Sequence, residues 1–355
     1  MAHLFIPGPT DVHPQVLAAQ AQTMIGHRGK EFQELYARLQ PKLQQVFATT
    51  QRVYISTSSG TGLQEAAIRN GVAERVLCCV NGAFAERWYQ IARANGKAAQ
   101  SLVVEWGQPI LPEQVEAALA TDDFEAVTIV HNETSTGVIS PIREIAARVR
   151  ARFPDVLILV DAVSSLGGVE IDFDGWGLDV LLTSSQKCLA LPPGLAFAAV
   201  SARALERAQH VPQRGLYFDF VEWEKFHLKH QTPATPAISL LWALDVGLER
   251  ILAEGLANRF ARHAQLAART QAWAQEHFAL FAPAPYRSPT VTCITNTRQI
   301  NIAALNAHLR AKGMQISDGY GKLKGATFRI AHMGEIQLSD LETLFAAIEN
   351  YLTNG

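Results

Sequence analysis

The stretch Val156-Leu157-Ile158-Leu159-Val160-Asp161 decides how the chain folds. Its apolar residues show no polar alternation, and the run ends on a carboxylate. A strand that is apolar on both faces must be covered on both, which is the property of a parallel sheet held between two layers of helices. Working outward, similar runs predict strands over 52–56, 75–80, 101–105 and 126–131. Helical periods fall between them, from Leu63, through Ala94, over 112–120 and over 141–153. The expectation is an α/β chain with a mainly parallel central sheet sandwiched by helices. In such sheets ligands gather at the carboxyl ends of the strands. His131-Asn132-Glu133-Thr134 and Asp161 lie there, as does Lys187 further on.

Lys187 sits in Leu181-Leu182-Thr183-Ser184-Ser185-Gln186-Lys187, which runs from an apolar strand into the turn signal Pro192-Pro193-Gly194. An ammonium held among short hydroxyls and apolar neighbours loses hydration, so its pKa falls and a fraction becomes nucleophilic amine. That suits a Schiff base with an aldehyde, and pyridoxal phosphate is the common protein-bound one. A lysine snorkelling from a strand end is the plainer alternative. Asp161 would face the protonated pyridine nitrogen of that cofactor, or else simply cap its strand. Ser59-Gly60-Thr61, between a strand and a helix start, can cradle a phosphate or serve as an N-cap. Phe84 would stack on the ring, Thr134 would bond its 3′-oxygen, and Gln186 would help to hold the phosphate.

Composition narrows the classes. The 355 residues are 48% hydrophobic and 18% charged, with 31 basic against 33 acidic side chains and a net charge of −2. No basic block marks a nucleic-acid or membrane surface, so small-molecule substrates are expected. No signal peptide and no apolar window of spanning length is expected, and a cytoplasmic location follows. Cys78, Cys79, Cys188 and Cys293 read as buried thiols without metal-ligand spacing, and the eleven histidines do not pair into a zinc site. Residues 1–14 are expected as an N-terminal arm, since the Pro/Gly-rich 5–14 cannot hold a regular element. Residues 15–254 are expected as a large domain and 255–355 as a small α+β domain, with the helix over 255–278 bridging the two. The aromatic connection over 211–235 reads either as an oligomer contact, which is preferred, or as a second core layer.

In chain order the motifs are Ser59-Gly60-Thr61, then VNGAF ending at Phe84, HNETSTGV from His131, LVDAVSSLGG containing Asp161, and SSQKCLALPPG containing Lys187. Together they resemble the class V aminotransferases, specifically the alanine/serine:glyoxylate (serine:pyruvate) branch of the fold-type I pyridoxal-phosphate enzymes. The resemblance runs from the Gly8-Pro9-Thr10 arm to Phe328-Arg329-Ile330. It implies that Lys187 carries the cofactor and acts as base, that Asp161 binds the pyridine nitrogen, and that Val163 packs on the ring face opposite Phe84. It also implies that Arg329, with Gly8 nearby, takes the substrate carboxylate. Read without the family, Arg329 would be an exposed strand arginine.

The resemblance further implies a homodimer with shared sites, in which Thr232 or Thr235 reaches the partner's phosphate. His27 and Arg28, otherwise a solvated turn, are placed at the active-site mouth, where they bear on the donor. Phe84 stands where a tryptophan often stacks, keeping the stacking face and losing the indole N–H. The reaction implied is ping-pong transfer of an amino group from alanine or serine to glyoxylate or pyruvate. An aspartate- or ureidoglycine-using aminotransferase is the nearest alternative. A cysteine desulfurase would need a mobile reactive cysteine, and a cofactor-free scaffold would show no absorbance tied to Lys187.

Overall fold

Alternate side chains of the deciding stretch go to opposite sides of one sheet: Ile158 and Val160 join one hydrophobic cluster, Leu157 and Leu159 another. The chain, described over residues 3–354 in a computed structural model, carries its strands in the following order. They are β1 His3–Phe5, β2 Arg52–Ser56, β3 Arg75–Val80, β4 Ala98–Val103, β5 Ala126–Val130, β6 Asn132–Glu133 and β7 Val138–Ile139. Then follow β8 Leu157–Asp161, β9 Val180–Ser184, β10 Ala196–Val200, β11 Ala279–Leu280, β12 Val291–Thr295, β13 Met314–Asp318 and β14 Thr327–Ala331.

Seven strands form the large sheet in the order β2-β10-β9-β8-β5-β3-β4. All neighbours pair in parallel except β10, which runs antiparallel to both β2 and β9. The expectation of a mainly parallel sheet sandwiched by helices is met, and β10 is the one element of this sheet that the sequence reading omitted. It arises because Pro192-Pro193 and Gly194, at φ +129°, turn the chain straight back after β9. On one face lie helices Lys30–Phe47, Ile142–Arg152 and Ile238–Glu254, and on the other Gly60–Gly71, Ala83–Ala94 and Ala202–His210.

A second sheet has the order β1-β13-β14-β12-β11. Helices Leu256–His277, Ile302–Ala311 and Leu338–Asn354 pack on it around Phe5, Trp273, Phe328 and Phe345. Within the N-terminal arm, His3–Phe5 forms a strand that pairs in parallel with Met314–Ile316. Fully burying Phe5 secures this pairing, at roughly 2 to 3 kcal/mol for a side chain of that size. The arm then crosses to the large sheet, where Thr10 N–H donates to Gln186 O at 3.2 Å.

The aromatic connection also holds more order than expected. Phe220–His227 is a helix, and its Phe220 and Trp223 pack on Tyr54 as a second core layer. Leu216, Tyr217 and Leu228 of the same connection stay exposed. No helix of the described residues is long and apolar enough to cross a membrane.

Candidate active site

Lys187 follows β9 at the mouth of the large sheet, where the chain tightens: Ala190 N–H donates to Lys187 O at 2.9 Å, and Ala190 adopts φ +52°. The amine donates to the carbonyl of Pro7, and Thr10 Oγ1 donates to Lys187 O at 3.2 Å. Gly8 lies against the same side chain, so close that a Cβ there would come within 2.6 Å of Lys187 Nζ. Burial, and secondarily the charge of Arg329, pull the amine down to about 8. At neutral pH roughly a tenth is then uncharged and able to attack a carbonyl.

Asp161 closes β8 with 5% of its surface exposed. Its Oδ2 accepts from Gln64 Nε2 at 2.7 Å and its Oδ1 from Val163 N–H at 2.8 Å. Burial lifts the carboxyl to about 6 despite these bonds. A cation placed against it would bring it down again, since burial penalises only the uncompensated charge.

The turn after β2 opens helix Gly60–Gly71, with Ser59 as its N-cap accepting from Gly62 N–H at 3.4 Å. Ser59, Gly60 and Thr61, at the start of that helix, line the cavity that holds Lys187. Gly60 is required by crowding, because a Cβ there would stand 2.5 Å from Val163 Cγ2. Phe84 rides on helix Ala83–Ala94, whose N-terminus is held by the buried Glu133. One Glu133 oxygen accepts from Phe84 and Ala85 N–H at 3.1 and 3.0 Å, the other from Ser135 N–H and Oγ at 3.1 and 2.6 Å. Burial raises this carboxyl while these bonds and the helix dipole favour its ionised form.

Ser59, Gly60, Thr61, Phe84, Thr134, Asp161, Val163, Gln186 and Lys187 line one cavity, together with Gln64, Arg87, Asn132 and Ser184. Thr134 Oγ1 donates to Ser164 Oγ at 3.1 Å, in a buried network that also ties Asn132 and Thr290. Arg329, on β14, is 7% exposed, and its pKa is lowered chiefly by burial. Its Nε and Nη2 donate to Asp318 O at 3.2 and 3.0 Å and its Nη1 to Thr134 O at 3.3 Å. These bonds use three of its five N–H donors, and among the described residues no carboxylate pairs with it. One donor on each terminal nitrogen is left, a fork that matches a carboxylate.

His27, Arg28, Thr232 and Thr235 do not line this cavity within the one chain, and Gly8 and Arg329 only adjoin it, against Lys187 and Thr134. Arg28 donates to the carbonyls of Thr232 and Pro233 at 2.6 and 2.9 Å, and its guanidinium lies 4.9 Å from the Phe226 ring centroid. Thr232 and Thr235 instead line an apolar cleft with Leu216, Tyr217, Trp223 and Phe226.

Gln64, Arg87, Asn132, Glu133 and Tyr320 stand at or around the site although the sequence reading assigned them no role. Asn132 and Glu133 are marked in the sequence with Thr134 as lying at a strand end, though without a specific role. Gln64, Arg87 and Tyr320 carry no comparable signal, since only tertiary placement brings them in. Arg87 donates to Thr61 Oγ1 and to Tyr320 Oη, each at 3.2 Å.

The residues fit a polar, phosphorylated aromatic ligand. Gln64 Oε1, Asn132 Oδ1 and Ser184 Oγ are buried without a hydrogen-bond partner, and all three residues line the cavity. Buried polar atoms are normally satisfied, so three unmet ones around a single space point to a bound polar group. Cys293, by contrast, is buried in β12 with its thiol pushed up to about 11, unlike a mobile nucleophile.

The family model for class-V aminotransferases matches residues 5–342. An uncharacterized aminotransferase of Methanocaldococcus jannaschii is 40% identical, over 98% of this chain and 91% of that protein. A serine–glyoxylate aminotransferase of Methylorubrum extorquens is 33% identical over 99% of this chain and 92% of its own. An L-aspartate–glyoxylate aminotransferase of Paracoccus denitrificans is 33% identical over 94% of this chain and 86% of its own. Among solved structures, an alanine–glyoxylate aminotransferase from Nostoc sp. superposes with a TM-score of 0.93 at 30% identity, over 99% of this chain and 95% of that one. A cysteine desulfurase from Thermococcus onnurineus, at 16% identity and a TM-score of 0.79 over 100% of this chain and 95% of its own, shares the fold alone.

Proposed function

The chain belongs to the class-V aminotransferases, and from that premise we propose that it moves the amino group of alanine or serine to glyoxylate or pyruvate in two half-reactions, using pyridoxal phosphate. The observation that carries the proposal is the single cavity in which the desolvated Lys187 amine, the Asp161 carboxyl and the N-terminus of helix Gly60–Gly71 converge. Pyridoxal phosphate, when bound, supplies an electron sink that acidifies the Cα–H of an attached amino acid. Ser59, Gly60, Thr61 and Gln186 would hold its phosphate, Phe84 and Val163 its two faces, Thr134 its 3′-oxygen and Asp161 its ring nitrogen.

The remaining work falls to side chains of this chain. Arg329 turns its free fork to the substrate carboxylate, which fixes the direction of the Cα–H bond. Lys187 Nζ would accept that proton as base and return one as acid, a task its lowered pKa suits near neutrality. The second substrate runs the sequence in reverse, so ping-pong kinetics are expected. An aspartate donor is the second reading, favoured by the L-aspartate–glyoxylate relative and by the cation Arg28. A desulfurase is disfavoured by the buried, high-pKa thiol of Cys293.

The site is proposed to be shared across a homodimer. Leu216 and Tyr217, both exposed, line the Thr232–Thr235 cleft, so pairing would cover apolar surface and bring Thr232 or Thr235, with His27 and Arg28, toward the neighbouring cavity. Borohydride reduction of the cofactor-loaded protein followed by peptide mapping is expected to find the label on Lys187. Labelling at another lysine overturns the assignment, and a panel of alanine, serine, aspartate and ureidoglycine identifies the donor.

A further inference from the structure

The loop from β13 to β14 rests on Phe84 and Arg87, two residues that line the cavity, and on Trp106. Its 3-10 turn Gly321–Leu323 places Lys322 Nζ 4.4 Å from the Trp106 ring centroid. One residue earlier, the Tyr320 ring packs on Phe84 with centroids 5.3 Å apart, and its hydroxyl accepts from Arg87 at 3.2 Å. The guanidinium of Arg329 lies 5.5 Å from the centre of the same ring. The loop is itself fixed, since Asp318 Oδ1 accepts from Gly319 and Gly325 N–H at 2.7 and 2.9 Å.

Arg329 is therefore gripped by carbonyls on one side and faced by an aromatic ring on the other. The carbonyls of Asp318 and Thr134 fix two edges of the fork, but three bonds to backbone oxygens leave the group free to tilt out of its plane. A ring beside a guanidinium supplies cation–π attraction and a steric stop. We propose that Tyr320, clamped by Arg87 and Phe84, is a positioning residue that holds the free fork of Arg329 toward the substrate carboxylate. The inference rests on the reading that Arg329 binds that carboxylate. It makes the loop part of the substrate site while leaving the cofactor contacts to other residues.

The test uses the loaded protein and the variants Tyr320→Ala, Tyr320→Phe and Arg329→Ala. Binding of propionate, a carboxylate that cannot react, is followed at equilibrium by the cofactor absorbance, alongside steady-state kinetics with alanine and serine. Tyr320→Ala is expected to weaken propionate about tenfold and to raise KM for both donors alike, with kcat within about threefold of the parent, as a cation–π contact of ordinary strength implies. Tyr320→Phe keeps the ring and is expected to retain most of the propionate affinity. Cofactor affinity of the unloaded protein, titrated by fluorescence, is expected to stay within about twofold in both variants.

Unchanged propionate binding in Tyr320→Ala, with Arg329→Ala clearly weakened, overturns the proposal and leaves the Arg329 reading standing. Unchanged binding in Arg329→Ala overturns that reading first. A fall in cofactor affinity that matches the fall in propionate affinity also overturns the proposal, because Tyr320 would then act through Phe84.

Discussion

Lys187 is held in a state that the folded chain alone would not favour. Its folded pKa, about 8, is depressed from 10.5, so the stability tied to this group is present only at alkaline pH and is lost as pH falls through 8. At pH 7 the folded protein thus carries a partly desolvated cation, at a cost of as much as about 3 kcal/mol. Lys187→Met is expected to abolish transamination and to raise the thermal midpoint of the cofactor-free protein at pH 7. The advantage should fade as pH climbs from about 8 to about 10.5, and calorimetry across that range checks both parts; a midpoint lowered at pH 7 contradicts the argument. Lys187 and Asp161 were legible in the sequence because Asp161 ends an apolar strand and Lys187 follows one closely, where a charge is conspicuous. Gln64 and Arg87 lie on helices of ordinary composition, and Tyr320 in a glycine-rich loop, so nothing local sets them apart. Their meaning comes from what other segments bring beside them.

At the scale of elements, helix Ala83–Ala94 depends on a residue from another strand. Glu133 answers four donors at the helix start and the following turn. Glu133→Ala would strand them, and a loss on the order of 3 kcal/mol is expected in urea unfolding, with a weaker hold on the cofactor because Phe84 moves with the helix. Unfolding free energy within about 0.5 kcal/mol of the parent would rule out this account. Gly82 shows how tight the cap is, since a Cβ there would sit 2.3 Å from Glu133 Cγ. The strands β2 and β3 were legible residue for residue because β-branched and apolar runs stop at polar turns. Strand β10 was not, because Ala196-Phe197-Ala198-Ala199-Val200 is alanine-rich and shows neither helical nor alternating period. Helix Ala202–His210 was missed as well, with only Ala204 and Ala208 buried on a polar surface.

For the molecule as a whole, the residues absent from the Lys187 cavity make the shared-site proposal testable. Two inactive proteins, Lys187→Ala and the double variant Thr232→Ala/Thr235→Ala, should restore activity when unfolded and refolded together. Random pairing gives hybrids one intact site each, so about a quarter of the parent activity is expected. No recovery, with mixed pairs demonstrated by mass, would show that those threonines do not reach the partner's site. The mainly parallel sheet between helices was legible from the alternation of strands and helices, whereas the pairing of His3–Phe5 with Met314–Ile316 was not, since a three-residue strand has no period to read. That pairing joins two segments far apart in the chain into one sheet. This early segment waits for a strand more than three hundred residues downstream before it can lay Pro7 and Gly8 on Lys187. Catalytic competence should therefore appear late in refolding, after helix content has recovered, so that the order of synthesis and the order of completion run in opposite directions.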